Sequence, residues 1–400
     1  MKRFLFSLVA ALVFTFGYGQ QLTDSSRFSI ITCGPDPGPV YLAFGHSAIR
    51  MVDRGLGIDY VFNYGVFDFA QPNFYLNFAR GSNNYLLGAY DYQYFEQSYI
   101  EDNRFLHEQS LNLTPDQRQR LYKFLVWNSM PANRAYWYDP YYDNCATRVR
   151  DAFVKVFGDS VKFDGSYIKT KYTIRQLKDL YANSYPWGNL GIDICQGMPI
   201  DRVATPYQYM YLPAYIESGF DHATIMNDSA TVPLVSKKRT IYEAKPLPAS
   251  WIPHPIYVMG LIALIALILA GRDFSKQQLS TWFDVLLFGV TGVIGIILLL
   301  LWFFTDHKAA AENLNLIWAI PTHLIVVFAF IAQPRWLKWY FLLTALIQLA
   351  LLGGWFFLPQ QLNTALIPIA TALMVRSYIQ FVLRKRGAYT RARIAKEMML

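Results

Sequence analysis

The sequence predicts an α+β domain held outside the cytoplasm and followed by an all-α membrane domain, on three observations. The chain opens like a secretory leader: Lys2 and Arg3, an apolar run from Phe4 to Phe16, then Gly17 and Gly19. Residues 21 to about 235 mix alternating, strand-like runs with helical periodicity. From about residue 252, five apolar stretches (252–270, 281–304, 314–332, 336–358 and 362–383) are each long enough to cross roughly 30 Å of hydrocarbon. The expected organisation is a signal peptide over 1–19, an extracytoplasmic domain over 20–235, a linker over 236–251, five spans over 252–383 and a basic tail over 384–400.

The extracytoplasmic part is long enough for one well-buried domain. Strands are expected over Phe28–Thr32, Ser47–Val52 and Ile58–Tyr64, with Arg54-Gly55-Leu56-Gly57 turning the last two into a hairpin; Tyr85 to Tyr94 and Arg104–Leu106 continue the β pattern. Thr114-Pro115-Asp116 reads as the cap and first turn of a helix running through Leu121 and Leu125. Ala146, Val149, Phe153, Val156 and Phe157 share one helical face, and Thr173–Leu180 and Pro206–Phe220 read as further helices. Val232 to Pro253 reads as a linker to the bilayer.

The net charge of +8 follows from membrane topology rather than from nucleic acid, for which no partner role is expected. Arg272 and Lys276 follow the first span, Arg335 and Lys338 the third, and a cluster from Arg384 to Lys396 the fifth, which places those ends in the cytoplasm. The first span then enters from outside, in agreement with the leader. Two ionisable residues fall inside spans. His323, after Pro321, is either functional or the hydrogen-bonding partner at a kink, and Arg376 is expected to snorkel toward the cytoplasmic face.

Phosphate-cradling glycine loops, Cys-x-x-Cys and His-Glu-x-x-His are absent from the sequence, so no metal or cofactor is expected. Attention falls on Cys145, in Tyr141-Tyr142-Asp143-Asn144-Cys145, at the start of the amphipathic helix. Asp143 and Asn144 are both good N-cap residues, and a helix N-terminus lowers the pKa of a thiol. A lone cysteine is commonly a small buried hydrophobe, so a base is required before Cys145 reads as a nucleophile. His46 supplies one, at the start of a strand in Phe44-Gly45-His46-Ser47. In a hairpin turning at Gly55 and Leu56, His46 lies opposite Tyr64 or Gly65. Asn63 or Tyr64 could then orient the imidazole; Asn63 is favoured because its amide oxygen accepts, and Asp59 is a third choice. With three cysteines, pairing of Cys33 with Cys195 would leave Cys145 as the odd thiol. Aromatic clusters at 90–99 and 136–142 suit either a sheet core or an acyl groove.

The order of His46 before Asn144-Cys145 resembles the circularly permuted papain-like enzymes, among them lecithin-retinol acyltransferase. A resemblance over nearly the whole chain is carried by Cys33-Gly34-Pro35, Phe44 to Arg50, Asn63-Tyr64-Gly65-Val66-Phe67-Asp68-Phe69 and Asp143 to Asp151, followed by five spans. On these motifs the chain is similar to the lipoprotein N-acyltransferase family of Bacteroidota. The resemblance implies a permuted papain-like periplasmic domain with Cys145 and His46 as its catalytic pair, a five-helix domain in the bacterial inner membrane and a cytoplasmic C-terminus. It implies a membrane phospholipid as acyl donor and a diacylated lipoprotein as acceptor. The same dyad with water as acceptor would make a cell-wall cysteine peptidase or amidase, and a structural thiol would make a non-catalytic sensor or assembly factor.

Overall fold

The computed structural model describes residues 20–386 apart from 37, 39–41, 68–71, 83, 229 and 247–251. The expected signal peptide (1–19) and most of the basic tail lie outside the described residues. The chain forms two units, one comprising residues up to 182 together with 203–248, the other 183–202 and 249 onward.

The first unit is built on an antiparallel seven-stranded sheet in the order β10-β5-β1-β2-β3-β4-β6. The strands are β1 (Arg27–Cys33), β2 (His46–Asp53), β3 (Ile58–Val66), β4 (Asn84–Asp91), β5 (Leu106–Leu111), β6 (Ala135–Trp137) and β10 (Val235–Tyr242). A smaller sheet joins β7 (Val161–Lys162), β8 (Thr224–Asn227) and β9 (Ala230–Pro233). The expected β2–β3 hairpin is present, with Ile49 paired to Phe62 and Asp53 to Ile58. Gly57, at φ +68°, supplies the left-handed turn residue, and the Asp53 carboxylate accepts from the amides of Thr23 (2.7 Å) and Gly55 (3.0 Å).

Helices α1 (Phe74–Arg80), α2 (Tyr92–Glu101), α3 (Pro115–Ser129), α4 (Cys145–Phe157), α5 (Ile174–Ala182), α7 (Pro206–Tyr209) and α8 (Pro213–Asp221) belong to the same unit; α6 (Pro186–Cys195) belongs to the other. Tyr92 to Tyr94, expected as strand, instead open α2, whose Tyr92 and Phe95 are buried. The main core lies between the sheet and α3, α4 and α8: Ala146, Val149 and Phe153 of α4 pack with Ile49, Phe62, Leu121 and Phe220. Truncating a buried phenylalanine such as Phe153 to alanine costs about 3–5 kcal/mol, so this face decides where α4 sits.

One stretch departs from the linker expected over 232–253. Residues 235–242 form β10, an edge strand paired with β5. Its outer side chains are charged, which hides the strand pattern and protects the edge from further pairing. Lys238 bridges Glu217 (2.9 Å) and Asp221 (2.7 Å), and Arg239 pairs with Glu108 at 2.5 Å.

The second unit contains α9 (Pro255–Lys276), α10 (Thr281–Phe303), α11 (His323–Ala332), α12 (Leu337–Gly354) and α13 (Ile367–Lys385). Among the described residues four helical segments, not the expected five, are long and apolar enough to cross a membrane: Pro255–Lys276, Thr281–Phe303, Leu337–Phe357 and Thr364–Lys385. The expected span over 314–332 is divided into a short 3-10 turn, Leu314–Ile317, and the ten-residue α11. Pro321 lies between them, where a missing N–H and a bulky ring oppose continuous helix.

Residues 183–202 act as a strap on this unit. Asn313 Nδ2 donates to Ile194 O (2.8 Å), Asn315 Nδ2 to Asp193 O (3.0 Å) and Gln360 Nε2 to Gln196 O (2.8 Å). Leu190 joins the helical core. A β-carbon on Gly197 would fall 1.8 Å from Ala311 O, so only glycine permits that approach.

Arg376 does not snorkel. It is fully buried, with Nε donating to Asp284 Oδ1 (2.6 Å) and Nη2 to Asp284 Oδ2 and Asp273 Oδ2 (both 2.8 Å). A bidentate carboxylate partner was available inside the bundle, and a paired guanidinium is better satisfied there than dragged to an interface. His323 is buried at the start of α11, bonded through Nδ1 to Thr291 Oγ1 (3.1 Å).

Candidate active site

Cys145 is the first residue of α4, and Asn144 is its N-cap. The cap is a reciprocal box: Asn144 Oδ1 accepts from the Thr147 amide (3.0 Å), while Thr147 Oγ1 accepts from the Asn144 amide (2.8 Å). Asn144 Nδ2 also donates to Pro140 O (2.8 Å) and Tyr211 O (2.9 Å), which ties the helix start to two loops. The other expected cap, Asp143, instead forms a bidentate pair with Arg148. With its cap fixed and its apolar face seated in the core, α4 has little freedom to move the thiol.

Packing of α4 against β2 and β3 brings Cys145 to His46. The thiol and the imidazole are hydrogen-bonded, and the amides of Ser47 and Ala146 also reach the sulfur. His46 Nε2 donates to Asn63 Oδ1 at 2.6 Å, which leaves Nδ1 for the thiol. Asn63 Nδ2 in turn donates to Tyr90 Oη at 2.8 Å, so the amide orientation is set from both ends. Phe95 and Tyr99 flank the imidazole, each with its ring centroid 6.3 Å away, Tyr99 stacked at 18°.

Burial alone would oppose charge on both groups. For His46, desolvation is outweighed by attraction to the Cys145 sulfur and by hydrogen bonds to Cys145 and Asn63, and the pKa is raised. For Cys145, desolvation is outweighed by the His46 cation, their hydrogen bond and the two amides, and the pKa is lowered. The pair is therefore biased toward thiolate and imidazolium, the state in which the sulfur is nucleophilic and the ring holds a proton to give.

Of the three expected orienting residues, Asn63 meets the imidazole. Tyr64 Oη points elsewhere and donates to Asn128 Oδ1 (2.7 Å), and Asp59 pairs with Arg50 at 2.6 Å. The β2–β3 register decides it: with Arg50 opposite Val61 and Ile49 opposite Phe62, His46 and Asn63 share one face of the sheet, Tyr64 points to the other, and Asp59 lies farther along, beside Arg50. Cys33, Cys145 and Cys195 are all free thiols. Cys33 is the cross-strand neighbour of His46 and is fully buried, which pushes its pKa far up.

Tyr90, which holds Asn63, is not distinguished in the sequence from the rest of the aromatic cluster over 90–99. Its alternation on β4 opposite Val61, two steps from Asn63's partner Gly88, was the available signal. In the second cluster Tyr136 is buried beside the thiol, while Tyr142 is more exposed. The described residues contain no cluster of three or more potential metal ligands.

Two family models match the chain: the Lnb N-terminal periplasmic domain over residues 23–179 and the Lnb transmembrane domain over 248–387. Residues 180–247, including the whole strap and β10, fall between them. No significant match to a curated protein or to a solved structure was found.

Proposed function

Since the chain belongs to the lipoprotein N-acyltransferase family defined by these periplasmic and transmembrane domains, we propose that it carries an acyl chain from a membrane phospholipid, on Cys145, to the α-amine of a diacylglyceryl-cysteine at a lipoprotein N-terminus. The observation that carries this reading is the Cys145–His46–Asn63 chain at a helix N-terminus, in a protein that also has a membrane domain. A reaction whose two substrates both reside in a bilayer calls for that combination; soluble cell-wall hydrolysis does not.

In the first half-reaction the Cys145 thiolate attacks the ester carbonyl of the phospholipid, a sulfur–carbon bond forms and the carbon–oxygen bond to the glycerol breaks. The imidazolium of His46 protonates the departing alkoxide, leaving a lysophospholipid and a thioester. In the second, the lipoprotein amine attacks the thioester carbon, His46 takes the amine proton, and the amide forms as sulfur leaves as thiolate. Asn63 holds the imidazole in one tautomer throughout, and Tyr90 holds Asn63.

The strand-borne histidine preceding the helix-borne cysteine supports a permuted papain-like arrangement. We further propose an inner-membrane protein with its thiol domain in the periplasm and its C-terminus in the cytoplasm. That topology requires an odd number of crossings, and the Leu314–Ile317 turn followed by α11 would provide the fifth.

The test is to incubate purified protein with phospholipid vesicles and search Cys145 for an acyl adduct by mass spectrometry, with Cys145→Ser as the control. An adduct that is discharged by a diacylated lipopeptide is the expected result. Absence of the adduct together with cleavage of muropeptides would assign the dyad to a peptidase or amidase.

A further inference from the structure

Acyl transfer through a thiol needs a donor for the carbonyl oxygen as it becomes negative, in addition to a nucleophile and a base. The amide of Cys145, in the first turn of α4 where no intrahelical acceptor exists, is one source. A second lies on β6. Tyr136 is 6 % exposed and its Oη has no hydrogen-bond partner, a destabilising condition for a buried hydroxyl. Its ring is clamped independently of that hydroxyl: the Arg148 guanidinium lies 4.2 Å over its face and Tyr64 packs edge-on at 6.2 Å.

Gly65 shows what the hydroxyl faces. The position that a β-carbon on Gly65 would occupy lies 3.6 Å from Cys145 Cβ, 3.7 Å from His46 Cε1 and 3.9 Å from Tyr136 Oη. Nucleophile, base and unpartnered hydroxyl thus converge on one small space, left open because Gly65 has no side chain. Three other phenols nearby are engaged: Tyr90 accepts from Asn63, Tyr64 donates to Asn128, and Tyr99 bonds the Cys33 thiol.

We propose that Tyr136 is a catalytic residue, donating its O–H to the oxyanion formed when Cys145 attacks an acyl carbonyl seated over Gly65. The inference deepens the acyl-transfer reading and rests on it for the identity of the acyl donor. As the sulfur–carbon bond forms, the carbonyl π pair moves onto oxygen, which receives the Tyr136 hydrogen bond. As the intermediate collapses, that pair returns, the carbon–oxygen bond to the leaving alcohol breaks, and the alcohol takes its proton from His46. Tyr136 keeps its own proton at every step, and burial, which pushes its ionisation well above the ordinary phenol value, suits it to that role.

The test uses full-length wild type and Tyr136→Phe in detergent with two acyl donors, a p-nitrophenyl alkanoate and phospholipid vesicles. Acylation of Cys145 is followed by nitrophenolate release and adduct mass, and alkylation by iodoacetamide is measured across pH on the same samples. Losing the hydroxyl should slow acylation about 100- to 1,000-fold with either donor, with the alkylation rate and its pH midpoint unchanged. Acylation within about threefold of wild type overturns the proposal, as does a parallel fall in alkylation, since the tyrosine would then act on the thiolate rather than on the oxyanion. Wild type acylated by the nitrophenyl ester but not by lipid would refute the phospholipid donor, while the Tyr136→Phe comparison with the ester would still decide the tyrosine's role. Wild type acylated by neither would overturn both.

Discussion

Each unit of the chain buries a cluster of hydrogen-bonded ionisable groups, and the two are built on opposite plans. In the first, the mutual attraction of the pair lowers the Cys145 pKa and raises that of His46, so charge there depends on the position of one proton. In the second, Arg376 sits between Asp273 and Asp284 with fixed charge. Its neighbours complete the carboxylates: Ser280 donates to Asp273 through its amide (2.8 Å) and hydroxyl (2.5 Å), and Gln380 donates to Asp284 (2.5 Å). The first cluster leaves a small space over Gly65 beside the Tyr136 hydroxyl; the second, apart from Arg376 Nη1, directs its donors to carboxylates and joins α9, α10 and α13. The two differ in the proton: the pKa directions of Cys145 and His46 favour its transfer between them, whereas the Arg376 guanidinium keeps its charge.

Substitutions can break that comparison. The largest effect is expected for His46→Ala, which should lower Cys145 acylation about 10²–10⁴-fold while leaving the unfolding midpoint nearly unchanged. The same variant should move the midpoint of Cys145 alkylation to higher pH, because the imidazolium that stabilises the thiolate is gone. In wild type, acylation should rise with pH as the thiol ionises below its ordinary range, and fall once His46 loses its proton above its ordinary 6.5. The two limbs belong to the pair and not to either residue alone.

Arg376→Met should do the converse. Two buried carboxylates left without their cation should cost about 3–5 kcal/mol, read as a drop in Tm in detergent, with the alkylation rate of the remaining folded protein unaltered. A stable variant with a slowed thiol would show that the two clusters are coupled and that the division is wrong. The smallest effect is expected for Asn63→Ala, which removes only the acceptor that orients the imidazole: the loss should fall on kcat with little change in donor KM.

Much of the thiol site was legible because its signals are local. The turn at 54–57 sets the hairpin register, the register brings His46 near Asn63, and an Asn before an amphipathic run marks the helix start at Cys145. The choice among Asn63, Tyr64 and Asp59 was not, because a one-residue change in that register exchanges the faces of Asn63 and Tyr64, and the turn residues alone place the register only to within one residue. Tyr136 lies on a three-residue strand whose partner is some fifty residues earlier, too short to display alternation. β10 was hidden by the charges that guard its edge. Arg376 was misread because its partners lie on two other helices, and hydropathy along one segment cannot reveal a carboxylate on another.

The strap over 183–202 has a consequence for the order of biosynthesis. It leaves the ribosome before any of α9 to α13 exists, flanked on both sides by chain that belongs to the first unit. The carbonyls of Asp193, Ile194 and Gln196 are made well before Asn315, Asn313 and Gln360, which donate to them in the folded unit. The membrane unit is therefore completed by a segment made before its helices, and a gene fragment starting after residue 203 would encode it without its fastening.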